Sequence, residues 1–226
     1  MKQIFGNSAV SLVAVERSVV FASLEKKLEN GEFKSWLTFH QHNFDTGVTN
    51  AITKNAYLNF LFTSHNEFLK ENLDDYINYT ALFTDKDGAI VLNPSGIASL
   101  YDADNKFKWR GSLKYKGYVP GDAVVYQDQL WCSYPDSNTL IRYNTTSMRQ
   151  EYKIGTGVTD SLDEPFGLFV QGDTLFITSQ TTGLIQTLDL KTFALKDLYK
   201  LDEPVKKYVK VDSQEVILTN TGIYKI

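Results

Sequence analysis

The feature that most constrains the fold is a repeat of short β-strand segments separated by polar turns. In the carboxyl-terminal half, three segments align one under another: Asp122 to Lys153, Pro165 to Lys200 and Tyr208 to Ile226. Each begins with a short β-branched or aromatic run, passes through a tight polar turn and re-enters an apolar run, which is the signature of a β-hairpin. A second polar turn follows, and the run after it alternates with a period of two, which predicts a further strand.

Similar segments occur earlier in the chain. Tyr79 to Leu113 is a fourth copy, and weaker copies run from Val10 to Phe39 and from Asn50 to about Asn78. The first turns of the copies fall near residues 17, 55, 87, 128, 172 and 213. A repeat of this length built only of short strands is typical of a β-propeller, in which each repeat is one four-stranded blade. We therefore predict an all-β chain with six blades, or with five if the copy that starts at Asn50 is only a loop.

The two ends of the chain complement each other. The last copy ends at Ile226 after three strands, whereas Lys2 to Phe5 is a strand-like segment that precedes the first copy. We predict that this amino-terminal strand pairs with the final blade as its outermost strand, which closes the ring and removes an exposed edge. Residues 1–226 then form a single propeller domain.

Composition excludes several classes of protein. The 23 basic and 27 acidic side chains give a net charge of −4, which argues against a protein whose main role is to neutralise nucleic acid. The single cysteine, Cys132, excludes an internal disulfide. No run of about 18 apolar residues predicts a membrane span, and the amino terminus lacks the features of a signal peptide. We expect the protein in the cytoplasm or within a macromolecular particle, and not secreted by a classical signal.

The segment Glu164 to Leu190 resembles the repeat of the NHL-type and gluconolactonase-type six-bladed propellers. In those families a proline and a glycine open the inner strand, as in Pro120-Gly121 and Pro165-x-Gly167 here. An aspartate closes the third strand, and three pairs match that position: Tyr101-Asp102, Tyr143-Asn144 and Leu188-Asp189. The resemblance implies a fold and leaves the activity open, since many functions share it.

In the six-bladed enzymes of this group, a divalent cation lies over the central channel, held by oxygen ligands at the mouths of the inner strands. The resemblance implies that the corresponding mouths here carry the candidate ligands Asp122, Glu164, Glu203 and Asn50. The glutamate expected in the first blade has no counterpart, because Ser8-Ala9-Val10 occupies that place. Asp163-Glu164-Pro165 and Asp202-Glu203-Pro204 also fit plain turns between blades, with proline fixing the backbone and the acids solvated. Calcium or another divalent cation is therefore the alternative to a protein without a cofactor.

Two further groups of residues have chemical potential. His40 and His42 alternate on one segment, so their imidazoles point the same way and suit zinc or copper, although two ligands do not make a site. The segment Lys106 to Lys116 alternates cations with aromatic residues, a pattern that binds single-stranded nucleic acid; its central residues are Lys106, Lys108, Trp109 and Arg110. The same segment falls where an outermost strand is predicted, and lysines there prevent association between sheet edges.

No motif for a serine nucleophile, a phosphate-binding glycine loop or a Cys-x-x-Cys pair is present, so no residue is predicted to be catalytic. The rim of turns on a propeller is a rigid platform for binding. We predict a non-enzymatic protein-interaction scaffold, one structural subunit of a larger assembly such as a cytosolic complex or a viral particle. The alternatives are a metal-dependent hydrolase or lactonase acting at the channel mouth, and a carbohydrate-binding propeller that uses Trp36, Trp109 or Trp131.

Overall fold

The structure is a computed structural model in which antiparallel β-strands dominate. It describes residues 1–6, 9, 12–53, 56, 81–85, 88–92, 95–102, 106–155, 162–179 and 181–226. The chain comprises two units, Met1–Leu61 with Val209–Ile226, and Phe62–Tyr208. In the described part, no helix is long and apolar enough to cross a membrane.

The described residues form five four-stranded antiparallel sheets. In the first four, the strands follow one another in chain order, as expected when each connection is a tight turn. The first sheet contains β2 (Val13–Val15), β3 (Ser18–Glu29), β4 (Glu32–Asn43) and β5 (Val48–Ile52), after the amino-terminal β1 (Lys2–Phe5). The second contains β6 (Ala81–Asp85), β7 (Gly88–Leu92), β8 (Ile97–Tyr101) and β9 (Phe107–Ser112).

The third, fourth and fifth sheets continue this pattern. The third contains β10 (Asp122–Tyr126), β11 (Gln129–Tyr134), β12 (Thr139–Asn144) and β13 (Gln150–Ile154), and a short 3-10 turn at Pro135–Ser137 joins β11 to β12. The fourth contains β14 (Pro165–Gln171), β15 (Thr174–Ser179), β16 (Leu184–Asp189) and β17 (Leu195–Lys200). The fifth contains β18 (Val205–Val211), β19 (Gln214–Thr219), β20 (Ile223–Lys225) and β1.

The turns predicted between the first two strands are found at Glu16–Arg17, Gln127–Asp128, Gly172–Asp173 and Asp212–Ser213. The first residue of each turn has a positive φ, between 45° and 58°, which Gly172 adopts without cost and the other side chains tolerate in tight turns. The turns predicted near residues 55 and 87 lie outside the described residues. The repeat therefore has the same hairpin chemistry wherever the structure describes it.

The first copy is longer than predicted. It extends past Phe39 to Ile52, because β3 and β4 are twelve residues each and β5 completes the sheet. Residues 50–52, assigned from the sequence to a second copy, therefore belong to the first sheet. Of the rest of that predicted copy, residues 54–55 and 57–80 lie outside the described residues.

The predicted pairing of the amino-terminal strand is confirmed. Strand β1 is the outermost strand of the fifth sheet and pairs with β20 in the register Lys2↔Lys225, Gln3↔Tyr224 and Phe5↔Ile223. The ring of Phe5 also packs against the first sheet, with centroids 4.7 Å from both Phe21 and His40. One short strand thus links the first and fifth sheets by hydrogen bonds on one side and by ring packing on the other.

The aspartate or asparagine at the end of each third strand has a structural role. In the first four sheets these residues are Asn43, Asp102, Asn144 and Asp189, and each side-chain Oδ1 accepts a hydrogen bond from a backbone N–H of the following turn. Such side-chain bonds take the place of backbone hydrogen bonds in the turn, which explains why Asn and Asp are preferred at this position. The closing position inferred from the family resemblance is therefore a turn-forming position.

Both faces of the third sheet are buried. Ala123, Val125 and Cys132 pack toward the second sheet, in a core that includes Ile90 and Leu100. The residues between them, including Val124 and Trp131, pack toward the fourth sheet with Leu168 and Ile177. The alternation follows from the period of two in a strand and places the three sheets face against face.

Candidate functional site

Asp122 is a buried carboxylate that is paired with a lysine. It lies at the start of β10, and its side chain is 4% exposed. Its Oδ2 accepts a hydrogen bond from the backbone N–H of Leu168 on β14 at 2.7 Å and forms an ion pair with Lys207 Nζ on β18. The carboxylate therefore connects β10, β14 and β18 within the unit Phe62–Tyr208.

The repeat explains how Lys207 reaches a carboxylate that belongs to the third sheet. Asp122, Gly167 and Lys207 lie the same number of residues before the positive-φ residues Gln127, Gly172 and Asp212. The backbone N–H groups of Asp122 and Gly167 bond to the equivalent hydroxyls of Ser133 and Thr178, both at 2.9 Å. The fourth sheet thus has a glycine where its neighbours have the two charged residues.

Gly167 is required by the close approach of strands. A Cβ at this position would lie 2.1 Å from the carbonyl oxygen of Lys206 and 2.8 Å from Thr178 Oγ1. Any larger residue would push β14 away from β18 and separate the ion pair. The Pro-x-Gly motif noted in the sequence is therefore part of the packing of the inner strands.

The other three candidate ligands are placed as follows. Glu164 has a positive φ of 42°, and its backbone N–H donates to Asn138 Oδ1 at 2.8 Å. Glu203 is partly buried between β17 and β18, and its carbonyl lies against Gly183. Asn50 is exposed in the middle of β5, opposite Gln41, and so is on an outermost strand instead of at the start of an inner one. Among the described residues, no three His, Cys, Asp or Glu side chains form a group that could hold a metal ion.

His40 and His42 share one face of β4, as their spacing predicts, and one ring nitrogen of each lies within hydrogen-bonding distance of hydroxyl groups. His40 Nε2 lies 3.1 Å from both Ser23 Oγ and Thr38 Oγ1, and His42 Nδ1 lies 2.8 Å from Thr49 Oγ1. Partial burial lowers the pKa of both imidazoles, and for His42 the charges of Lys2 and Lys225 lower it further. The two rings therefore favour the neutral state.

The segment Lys106 to Lys116 contains β9, the outermost strand of the second sheet, as the edge-strand interpretation of its sequence predicts. Lys106, Lys108 and Arg110 are exposed, and Lys108 Nζ lies 3.4 Å from Asp102 Oδ2. Trp109 turns inward and packs against the core between the second and third sheets. The indole also covers Gly111, whose added Cβ would lie 2.4 Å from it. The cations of this strand are thus exposed, whereas its tryptophan packs on the core.

The sequence analysis missed the long hairpin formed by β3 and β4. The cross-strand pairs from Leu24↔Leu37 to Glu29↔Glu32 have no third strand beside them among the described residues. We call this two-stranded segment, residues 24–37, the arm. Its turn is Asn30-Gly31, with φ values of 54° and 83°. Asn-Gly between two apolar runs is a strong hairpin signal and could have identified the arm from sequence.

The comparisons with known proteins identify the fold only. No family model matches the chain, and no curated protein matches it. Virginiamycin B lyase from Staphylococcus aureus is similar in structure, with a TM-score of 0.52 and 11% identity over 97% of this chain and 84% of the other. The computationally designed Ika8 protein has a TM-score of 0.50 and 12% identity over 96% of this chain and 71% of its own. Both are propellers, and the chain has a β-propeller fold.

Proposed function

We propose that the protein is a non-enzymatic protein-interaction scaffold, a subunit of a larger assembly that holds its partner with the arm. The propeller fold is compatible with this role but also occurs in enzymes, since one structural neighbour is a lyase. The arm is the observation that carries the proposal, because the sheet it belongs to is complete without it.

Exposed apolar side chains support docking at the arm. Leu28 is 58% exposed and Trp36 is 39% exposed. The pairs Leu24↔Leu37 and Glu25↔Trp36 show that Leu28 and Trp36 lie on opposite faces of the ribbon, because residues in register share a face and faces alternate. Tryptophan is enriched among the residues that dominate binding energy at interfaces.

The backbone of the arm supports the same conclusion. A two-stranded ribbon is only marginally stable in water, so contacts with a partner would stabilise it. Its two edges carry backbone N–H and C=O groups that an extended segment of another protein can pair with. On the face that carries Trp36, Lys34 Nζ donates a hydrogen bond to Glu29 Oε2 at 3.3 Å, and Thr38 Oγ1, at the base of the arm, donates one to Glu25 Oε1 at 3.4 Å. The arm thus offers both side-chain and backbone recognition.

A pull-down from the native source tests the proposal, with bound proteins quantified by mass spectrometry. We expect Leu28→Ser/Trp36→Ser to reduce partner recovery more than tenfold, since the loss of an anchoring tryptophan costs about 2 kcal/mol or more of binding free energy. Leu198→Ser is the matched control, because Leu198 is 39% exposed on a strand of the fourth sheet. Equal recovery by the arm variant and the wild type would contradict the assignment.

A second measurement separates the scaffold from the metal-dependent hydrolase. Elemental analysis of protein purified without chelator is expected to show no stoichiometric calcium, manganese or zinc. The pairing of Asp122 with Lys207 supports this expectation, because the lysine ammonium already neutralises that carboxylate. One bound divalent cation per chain would favour the hydrolase.

A further inference from the structure

A cleft of about 260 Å³ opens between the second and third sheets. One wall includes Leu100, Asp102, Lys108 and Trp109 of the second sheet. The opposite wall includes Asp128 and Thr146, from two turns of the third sheet. Both walls belong to the unit Phe62–Tyr208.

Because the chain is a repeat, the place equivalent to this cleft can be identified between the third and fourth sheets. We call this place the counterpart. Leu100 pairs with Trp109, and at the equivalent place Arg142 pairs with Tyr152. Asp128 and Asp173 both accept, through their backbone carbonyls, a hydrogen bond from the residue that follows the third strand. The backbone N–H groups of Thr146 and Lys191 both donate to the asparagine or aspartate that closes that strand. Leu100, Trp109, Asp128 and Thr146 therefore each have a defined equivalent one sheet further on.

The counterpart is filled by side chains of the protein itself. The Arg142 guanidinium lies 5.6 Å from the ring centroids of both Tyr152 and Phe193. The Asp173 carboxylate forms an ion pair with Lys191 and accepts a hydrogen bond from Tyr126. Two cations and an aromatic side chain thus occupy this place.

Among the described residues, the cleft has an aromatic ring and a carboxylate like its counterpart, and uncharged residues stand at the positions of the two occupying cations. Leu100 replaces Arg142, Thr146 replaces Lys191, and Met148, which has the same positive φ and turn hydrogen bond, replaces Phe193. Trp109 and Asp128 remain as the aromatic wall and the carboxylate. Lys108, which also lines the cleft, lies 3.4 Å from Asp102, so its charge is balanced locally.

We propose that this cleft binds an arginine side chain of a partner protein. A guanidinium stacks on tryptophan through cation–π attraction and bonds a carboxylate in a charge-assisted geometry, which matches Trp109 and Asp128. The aliphatic part of the arginine would contact Leu100. The inference rests on the proposed interaction function and specifies the chemistry of the partner at a second place on the chain.

The test is a titration of isotope-labelled wild-type protein with the peptide N-acetyl-Gly-Arg-Gly-amide, followed by the indole N–H resonance of Trp109. We expect a saturable shift that the peptide N-acetyl-Gly-Gln-Gly-amide does not produce. Asp128→Asn should weaken binding about fivefold, the effect of one exposed charge pair. Asp136→Asn, the same change on an exposed turn outside the cleft, should leave it unchanged.

A filled variant tests the internal comparison directly. Leu100→Arg/Thr146→Lys copies the occupants of the counterpart, and we expect it to abolish the saturable shift. Asp128 is exposed on a turn, so its variant tests the proposal whether or not the filled variant folds. No shift with the arginine peptide, or an equal shift with the glutamine peptide, would overturn the proposal. A selective shift with methyl β-D-glucoside would overturn it in favour of a saccharide site.

Failure of this inference and failure of the proposed function are distinguishable. If the arm variant loses its partner but the arginine peptide does not bind at Trp109, the scaffold proposal stands and the arginine site is wrong. If the peptide binds at Trp109 but the arm variant recovers as much partner as the wild type, the arginine site stands and the arm is not the docking element.

Discussion

The third sheet and the arm of the first sheet are both built from antiparallel hairpins, but they differ in how much of their surface is buried. In the third sheet both faces are covered, and Trp131 is fully buried between β10–β13 and the fourth sheet. In the arm the ribbon continues beyond the neighbouring strands that the structure describes, and Trp36 remains 39% exposed. The difference teaches that strand length, rather than strand composition, separates the part that is covered by neighbouring sheets from the part that we propose for docking.

Replacing the two tryptophans by alanine is the most direct test of this comparison. Trp131→Ala should destabilise the protein by about 3–5 kcal/mol, because a large side chain is removed from a closed core. Trp36→Ala should change the free energy of unfolding by less than about 0.5 kcal/mol, as for other exposed positions. Urea denaturation measures both, and equal losses would mean that the arm is part of the cooperative core.

The inner end of the third sheet should be nearly as sensitive as its core. Asp122→Asn leaves the Lys207 ammonium, whose side chain is 16% exposed, without its carboxylate, and breaking a buried pair costs about 3 kcal/mol or more. The double variant Asp122→Asn/Lys207→Met should recover much of this loss, since no unpaired charge remains. A double variant no more stable than Asp122→Asn in urea would show that the ion pair is not the source of the effect.

Gly167 tests whether close approach of strands holds the ion pair in place. Gly167→Ala should destabilise by about 1–3 kcal/mol, because its methyl group would overlap the Lys206 carbonyl. An alanine at Gly121 would instead meet the movable side chain of Phe166 first, at 2.8 Å, so Gly121→Ala should be less harmful. Thermal melting compares the two variants. The same melting temperature for both would argue against a rigid contact at Gly167.

The smallest expected effect concerns the histidines of the first sheet. Burial lowers the pKa of His40 and His42 in the folded protein, so below about pH 6.5 the unfolded chain binds more protons than the folded one. Stability should therefore fall as the pH drops from 6.5 through the lowered pKa values. The variant His40→Gln/His42→Gln should show a shallower fall in melting temperature over this range than the wild type. Superimposable pH profiles would contradict this origin.

Local patterns determined most of the fold. The period of two, the polar turns and the Asn or Asp at the end of each third strand depend on near neighbours in the chain, so the sequence predicts the strands and their meander order. The pairing of β1 with β20 is long-range, and it was predicted because the repeat leaves the last copy one strand short and Lys2 to Phe5 outside the first copy. The length of β3 and β4 was missed even though Asn30-Gly31 marks their turn.

Tertiary structure alone decided what the candidate groups do. In the sequence, nothing distinguishes Asp122 from the other acidic residues near the inner strands. Only the packing of β10, β14 and β18 against one another pairs it with Lys207. Trp109 and Asp128 are separated in the chain, and they line the same cleft because two sheets pack face against face. A repeat places equivalent residues at equivalent positions. Whether such a position is filled or open depends on the side chains that neighbouring sheets contribute, which is a long-range property that no local pattern encodes.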